Sequence, residues 1–120
     1  MTTPQVLRSR TQYFALAVIR FCRILPNNNE GWVIGKQLLR CGTSVAANYR
    51  AANRARSHAE FIAKLGIVVE EADETVFWLE LLKRAATASE QELNPLMSEA
   101  RELLAIFAAS QKTAKARQTN

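Results

Sequence analysis

The feature that most restricts what this chain can become lies between Ser57 and Ala86. Phe61, Leu65, Val68, Ala72, Thr75, Leu79 and Leu82 keep the a/d spacing of a heptad, and Ile62, Val69 and Val76 add a second apolar row beside it. A periodic run of this length is a helix and not a strand. Two apolar rows on one helix need cover on two sides, which other helices must supply. Ser57 and Glu60 form a capping box, in which the hydroxyl takes an orphan amide while the carboxylate reaches back to the cap, so this helix is placed at about 58–86.

The same signals divide the rest of the chain. Thr3 as N-cap and Pro4 at the first helical position open a helix over about 4–25, closed by Pro26 and three asparagines. Its Leu16, Ile19 and Ile24 widen the apolar arc beyond one core stripe, which points to a contact outside its own bundle. A second helix is placed at about 31–55, with Gly42 as a point where it could bend. A second capping box, Ser89 and Glu92, opens a fourth helix over about 90–110, with Pro95 expected at its third position. Residues 111–120 read as a basic, frayed tail. Four helices with short connections give an all-α fold, an antiparallel up-down-up-down four-helix bundle, as a single domain over 1–120.

The second helix carries polar residues where burial is expected. Ile34, Leu38, Cys41, Val45, Tyr49 and Ala52 make its apolar stripe, and Arg40, Ser44 and Asn48 stand beside it at i, i+4 and i+8, next to Gly42, Ala46 and Ala47. If the turn near Arg56 folds the third helix back on the second, paired residue numbers sum to about 112, which brings Arg40 opposite Glu71. Glu71 has apolar neighbours in phase, so the two form an expected partly buried ion pair. Arg40, Ser44, Asn48, Glu71 and Thr75 are therefore read as a polar layer that fixes register and partner choice. Glu70, Asp73 and Glu74 are read as a solvated acidic face.

Charge is distributed unevenly. Residues 1–56 hold nine Lys/Arg against one acid, Glu30, a balance of +8, whereas residues 57–109 hold four bases against ten acids, a balance of −6; Lys112, Lys115 and Arg117 restore the total of +5. Such asymmetry fits either a polyanion bound by the basic half or mutual docking of the two halves. The chemistry available is sparse. His58, the one histidine, is placed in the first turn of the third helix as a surface residue, and Cys22 and Cys41 lack metal-ligand spacing. No catalytic constellation, metal or cofactor is expected. With no run of eighteen apolar residues and no secretory signal, the chain reads as a cytoplasmic protein with reduced thiols and no membrane partner.

The stretch QLLRCGTSVAANYRAANRARSHAEFIAKLGIVVEEADETVFWLELL, from Gln37, resembles the signature of bacterial four-helix-bundle proteins called 23S rRNA intervening-sequence proteins, related to the accessory protein of diversity-generating retroelements. The likeness runs from about Tyr13 to Leu104 and is most specific over Gln37–Asn48 and Glu70–Leu79. It implies an antiparallel four-helix bundle, assembly into a homopentamer and no catalytic activity. In the retroelement branch it also implies binding to nucleic acid and to a reverse transcriptase.

Three functions compete. A nucleic-acid-binding oligomer would contact phosphates through Arg8, Arg10, Arg20, Arg23, Arg50, Arg54 and Arg56, reading little sequence in RNA or DNA. Tyr13 and Trp32 could stack on bases, although packing against helices is the commoner use of such residues. A protein-interaction scaffold would instead use the charges to dock subunits or a partner protein. An enzyme is the remote third. What separates the first two is whether the arginines face outward or lie against the acidic helices.

Overall fold

The computed structural model describes residues 2–118 and contains four helices, α1 (Pro4–Arg23), α2 (Asn29–Asn53), α3 (His58–Arg84) and α4 (Glu90–Gln118). Each begins where a side-chain oxygen takes an amide that has no intrahelical partner. Thr3 accepts from Val6 N–H at 3.1 Å, Asn28 from Gly31 at 2.8 Å, Ser57 from Glu60 at 3.0 Å and Ser89 from Glu92 at 3.3 Å. Asn28 starts α2 two residues earlier than its hydrophobic pattern suggests. At the end of α3, Thr87 N–H returns to the Leu82 carbonyl and Ala86 takes a φ of 53°, a left-handed closure usually given to glycine.

Two details of the expected helices change. Pro95 is the sixth residue of α4, not the third; it is exposed at the edge of the α1–α4 seam. α2 runs through Gly42 without interruption, and the residue serves as a contact point with α1, discussed below. The larger change is at the end of α4, which continues through residues 111–118 where a frayed tail was expected, Thr119 and Asn120 lying outside the described residues. Lys, Ala, Gln and Arg are strong helix formers, and Ala114 is buried against the start of α3, where the ring of His58 donates through Nε2 to the Ala114 carbonyl at 2.9 Å. His58 is thus an exposed residue with a structural partner.

The helices pack in chain order around one elongated core, 51 × 23 × 22 Å, each against the next, with α4 closing on α1 much more loosely. Val18, Leu38, Val45, Leu65, Val68, Leu79, Leu82, Leu93 and Phe107 lie at its centre, completely or almost completely enclosed. The two buried threonines, Thr11 and Thr75, return their hydroxyls to the carbonyls of Leu7 and Glu71 at 2.9 and 2.7 Å in their own helices, so their burial carries little penalty. Up-down-up-down order puts the start of α1, the end of α2, the start of α3 and the end of α4 at one end of the bundle. Two hydrogen bonds mark that end, Arg8 Nη1 to Asn53 Oδ1 at 2.6 Å and His58 to Ala114. No described helix is long and apolar enough to cross a membrane.

Candidate nucleic-acid interface

The polar layer forms on the seam between α2 and α3, with a membership that differs from the expected one. Arg40 Nη1 reaches Glu71 Oε2 at 3.1 Å, which is the pairing expected from register. Its other terminal nitrogen binds Glu74, whose carboxylate also accepts from the Trp78 indole N–H at 3.1 Å. Glu74 is therefore half-buried within the layer and not part of a solvated face; Glu70 and Asp73 are exposed. Thr75 is buried beside Cys41. Ser44 and Asn48 do not join: the Asn48 amide donates to the Ser44 carbonyl at 2.9 Å within α2. The signal that could have found Glu74 is its i, i+4 spacing to Trp78, the side chain that orients it.

The Trp78 hydrogen bond, then that of Arg40, hold the Glu74 carboxyl below its ordinary value, and Glu74 in turn raises Arg40. The Glu74 contribution is therefore present above its ordinary pKa of 4.5 and is lost as pH falls below it. At neutral pH Arg40→Ala should melt at a lower temperature than Arg54→Ala, because Glu71, with a side chain 16% exposed, loses its cation whereas Arg54 has no ion pair among the described residues. Adding Glu71→Gln should return part of the loss, and the gap to wild type should narrow in acid. Equal melting temperatures for the two single variants at neutral pH would remove the layer from the account.

The seven arginines proposed for phosphate contact fall into four groups. Arg10 turns inward across the α1–α4 seam, giving Glu99 two hydrogen bonds of 2.8 and 2.7 Å and meeting Glu102 at 3.4 Å. The Glu99 hydrogen bonds hold its pKa above the ordinary value, so it is a structural tie. Arg56 lies 3.5 Å from Glu60, but with a side chain 90% exposed that pair constrains it little. Arg20 and Arg23 are exposed near the end of α1, about 18 Å or more along the helix from Arg8. Arg8, Arg50 and Arg54 come together.

Those three line a groove of about 780 Å³ on the outer side of α1 and α2, along with Gln5, Ser9, Gln12, Thr43 and Asn53. The close α1–α2 approach at small residues and the Arg8–Asn53 hydrogen bond build it. None of the three makes an ion pair among the described residues, so three positive charges lie among neutral hydrogen-bonding side chains, an arrangement that suits an extended oxyanion backbone. A second, more apolar groove of about 520 Å³ follows the loose α1–α4 seam past Tyr13, Ala17, Ile24 and Leu96. Tyr13 and Trp32 are 74% and 57% exposed and are not packed in the core; the Trp32 indole donates to Asn27 at 2.8 Å. Among the described residues no cluster of His, Cys, Asp and Glu could hold a metal ion.

Comparison with known proteins agrees with this architecture. A crystal structure from Bacteroides thetaiotaomicron VPI-5482, of a protein with unknown function from the S23 ribosomal protein family, superposes with a TM-score of 0.83 at 34% identity, covering 91% of this chain and 97% of that one. None of the curated proteins compared matches. The model of the family described as 23S rRNA-intervening sequence protein matches residues 6–109, nearly the whole four-helix core, and this chain belongs to that family.

Proposed function

We propose that this chain is a non-enzymatic, oligomeric protein of the bacterial cytoplasm that binds nucleic acid through its phosphates with little sequence preference. The observation that carries this reading is the groove of α1 and α2, where Arg8, Arg50 and Arg54 stand exposed without acidic partners. The family description, which refers to 23S rRNA, agrees with a nucleic-acid setting. Exposed apolar side chains outside the groove, Leu16, Ile24, Trp32 and Phe77 among them, support subunit contacts; the resemblance to known bundles makes five the expected number. A non-catalytic role fits the fate of the reactive groups. His58 is spent on a backbone carbonyl, and burial pushes the Cys22 thiol up to about 11 and raises that of Cys41, so neither is a thiolate at neutral pH.

Titration of wild-type protein with RNA and DNA of mixed sequence, at several salt concentrations, tests the reading. Affinity should fall with salt at a log-log slope of about −0.7 to −0.9 per phosphate contacted. Arg50→Glu with Arg54→Glu should weaken binding to all sequences alike and flatten the slope, while Arg10→Gln should leave the slope in place. Absence of binding at about 50 mM salt, with the fold intact, would end this reading. The alternative is a scaffold whose charges dock subunits or a partner protein; the Arg10 pairing with Glu99 and Glu102 favours it, since there a basic helix meets acidic α4. A monomer mass by light scattering at micromolar concentration would count against both, because each relies on assembly.

A further inference from the structure

We propose that the last two turns of α4 complete a basic pole, so that the site for nucleic acid is the whole end of the bundle and its ligand is the phosphate backbone of a duplex. This rests on the reading above and enlarges its site. By sequence, Lys112, Lys115 and Arg117 lie more than fifty residues from Arg54 and Arg56. In the fold, α4 runs antiparallel to α1 and α3 and brings them to the end that holds Arg8, Arg50, Arg54 and Arg56. The His58 ring fixes Ala114 level with the first residue of α3, so residues 115–118 project beyond it by about 6 Å as a helical prong. Lys115 and Arg117 are exposed on it, and Lys112 is exposed on the turn just before it.

Within about two turns of this end, among the described residues, Glu60 is the only side-chain carboxylate, and Arg56 already faces it at 3.5 Å. Arg8, Arg50, Arg54, Lys112, Lys115 and Arg117 therefore act together on whatever approaches. The surface is also poor in apolar anchors: Val6 is the one large hydrophobic side chain exposed there, whereas Ile24, Trp32, Val33, Phe77 and Leu81 lie toward the other end. A membrane surface or a folded protein partner would call for an apolar centre. The exposed rings of Trp32 and Phe77 are remote, and that of Tyr13 lies about 8 Å further along α1 than Arg8, on the α1–α4 seam, so no exposed Phe, Tyr or Trp ring lies on the pole itself to stack the bases of a single strand. Six cations spread over a face 23 × 22 Å match a stiff, dense line of charge, since 22 Å of duplex axis carries about thirteen phosphates.

The test is a salt titration of the full chain, followed by fluorescence anisotropy, with labelled RNA duplex, DNA duplex and single strand, all about 20 nucleotides long. Three variants are compared with wild type: Lys112→Glu/Lys115→Glu/Arg117→Glu at the prong, Arg50→Glu/Arg54→Glu in the groove and Arg20→Glu/Arg23→Glu at the far end. Circular dichroism checks that each is folded. The prong variant should lose roughly half of the salt slope and bind duplex on the order of tenfold or more weakly at 50 mM salt, with the far-end variant close to wild type. RNA and DNA duplexes held with similar affinity support a phosphate site. A prong variant with wild-type slope, while the groove variant loses binding, overturns the pole and leaves the proposed function standing. An equal loss in the far-end variant also overturns it, because the attraction is then spread over the molecule, and tighter binding of the single strand overturns the duplex assignment. Wild-type protein that binds none of the three probes overturns both proposals.

Discussion

Phe107→Ala is expected to lower the unfolding free energy by about 3–5 kcal/mol, which is a large share of the roughly 5–15 kcal/mol available to a domain of this kind. Phe107 is completely enclosed, and its ring centre lies 4.9 Å from that of Tyr49, tilted by 47°, so α4 meets α2 across the centre of the bundle at this point. The loss combines the transfer of the ring, the cavity it leaves and an aromatic contact of about 0.5–1.5 kcal/mol. Neighbours cannot collapse into the space, because Tyr49 and Leu103 are themselves held in the core by the helices that carry them. Phe107→Leu keeps most of the volume and should cost less than about 1.5 kcal/mol beyond the lost ring contact. The measurement is urea denaturation with a shared m-value; a loss under about 1 kcal/mol for the alanine variant would mean that α4 is not anchored here.

The sites where the sequence was easy and hard to read have physical causes. Helix existence follows from periodicity and caps, and the three caps read from the sequence, Thr3, Ser57 and Ser89, each take the amide three residues on, because a cap is a local interaction; Asn28, which caps α2, reads in the sequence only as part of the stop after α1. The Arg40–Glu71 pair was also legible, since one tight turn fixes the register of two antiparallel helices over several turns. Glu74 was not, because its spacing from Glu70 suggested an acidic face, whereas Trp78 and Arg40 bring it into the layer. Tyr13 and Trp32, expected against helices, are exposed because the loose α1–α4 seam and the α1–α2 turn do not cover them. The end of α4 was misread for a different reason. Its sequence is polar with no apolar stripe, and the tertiary contact that holds it, His58 on a backbone carbonyl, leaves no periodic trace.

That last point alters how the charge is grouped. Counted along the chain, the basic residues fill the first half and a separate tail; folded, the relevant division is between the two ends of the bundle. Arg20 and Arg23 share a helix with Arg8 yet belong to the far end, while Lys112 and Lys115 belong with Arg50 and Arg54. Arg10 leaves the set because the α1–α4 seam brings Glu99 to it.

Gly42→Val should destabilise the protein by about 2–3 kcal/mol, with the cost set by one neighbour. Gly42 is buried where α2 crosses α1, and a Cβ there would lie 2.9 Å from both γ-carbons of Val18. Val18 is itself fully enclosed and β-branched, so its stiff χ1 leaves it no second rotamer to move into. The helices must therefore separate. Replacing glycine in a helix interior recovers less than about 1 kcal/mol of propensity, which does not offset that separation. Val18→Ala makes room where the new methyls would go, so the double variant should lose clearly less than the sum of the two single losses, a coupling of at least about 0.5 kcal/mol. Strict additivity in thermal or urea unfolding would mean that Val18 does not set the α1–α2 distance. The same distance shapes the groove of Arg8, Arg50 and Arg54, whose walls are these two helices. If the proposed function holds, folded Gly42→Val protein should therefore also bind nucleic acid more weakly than wild type, although no cation has been removed.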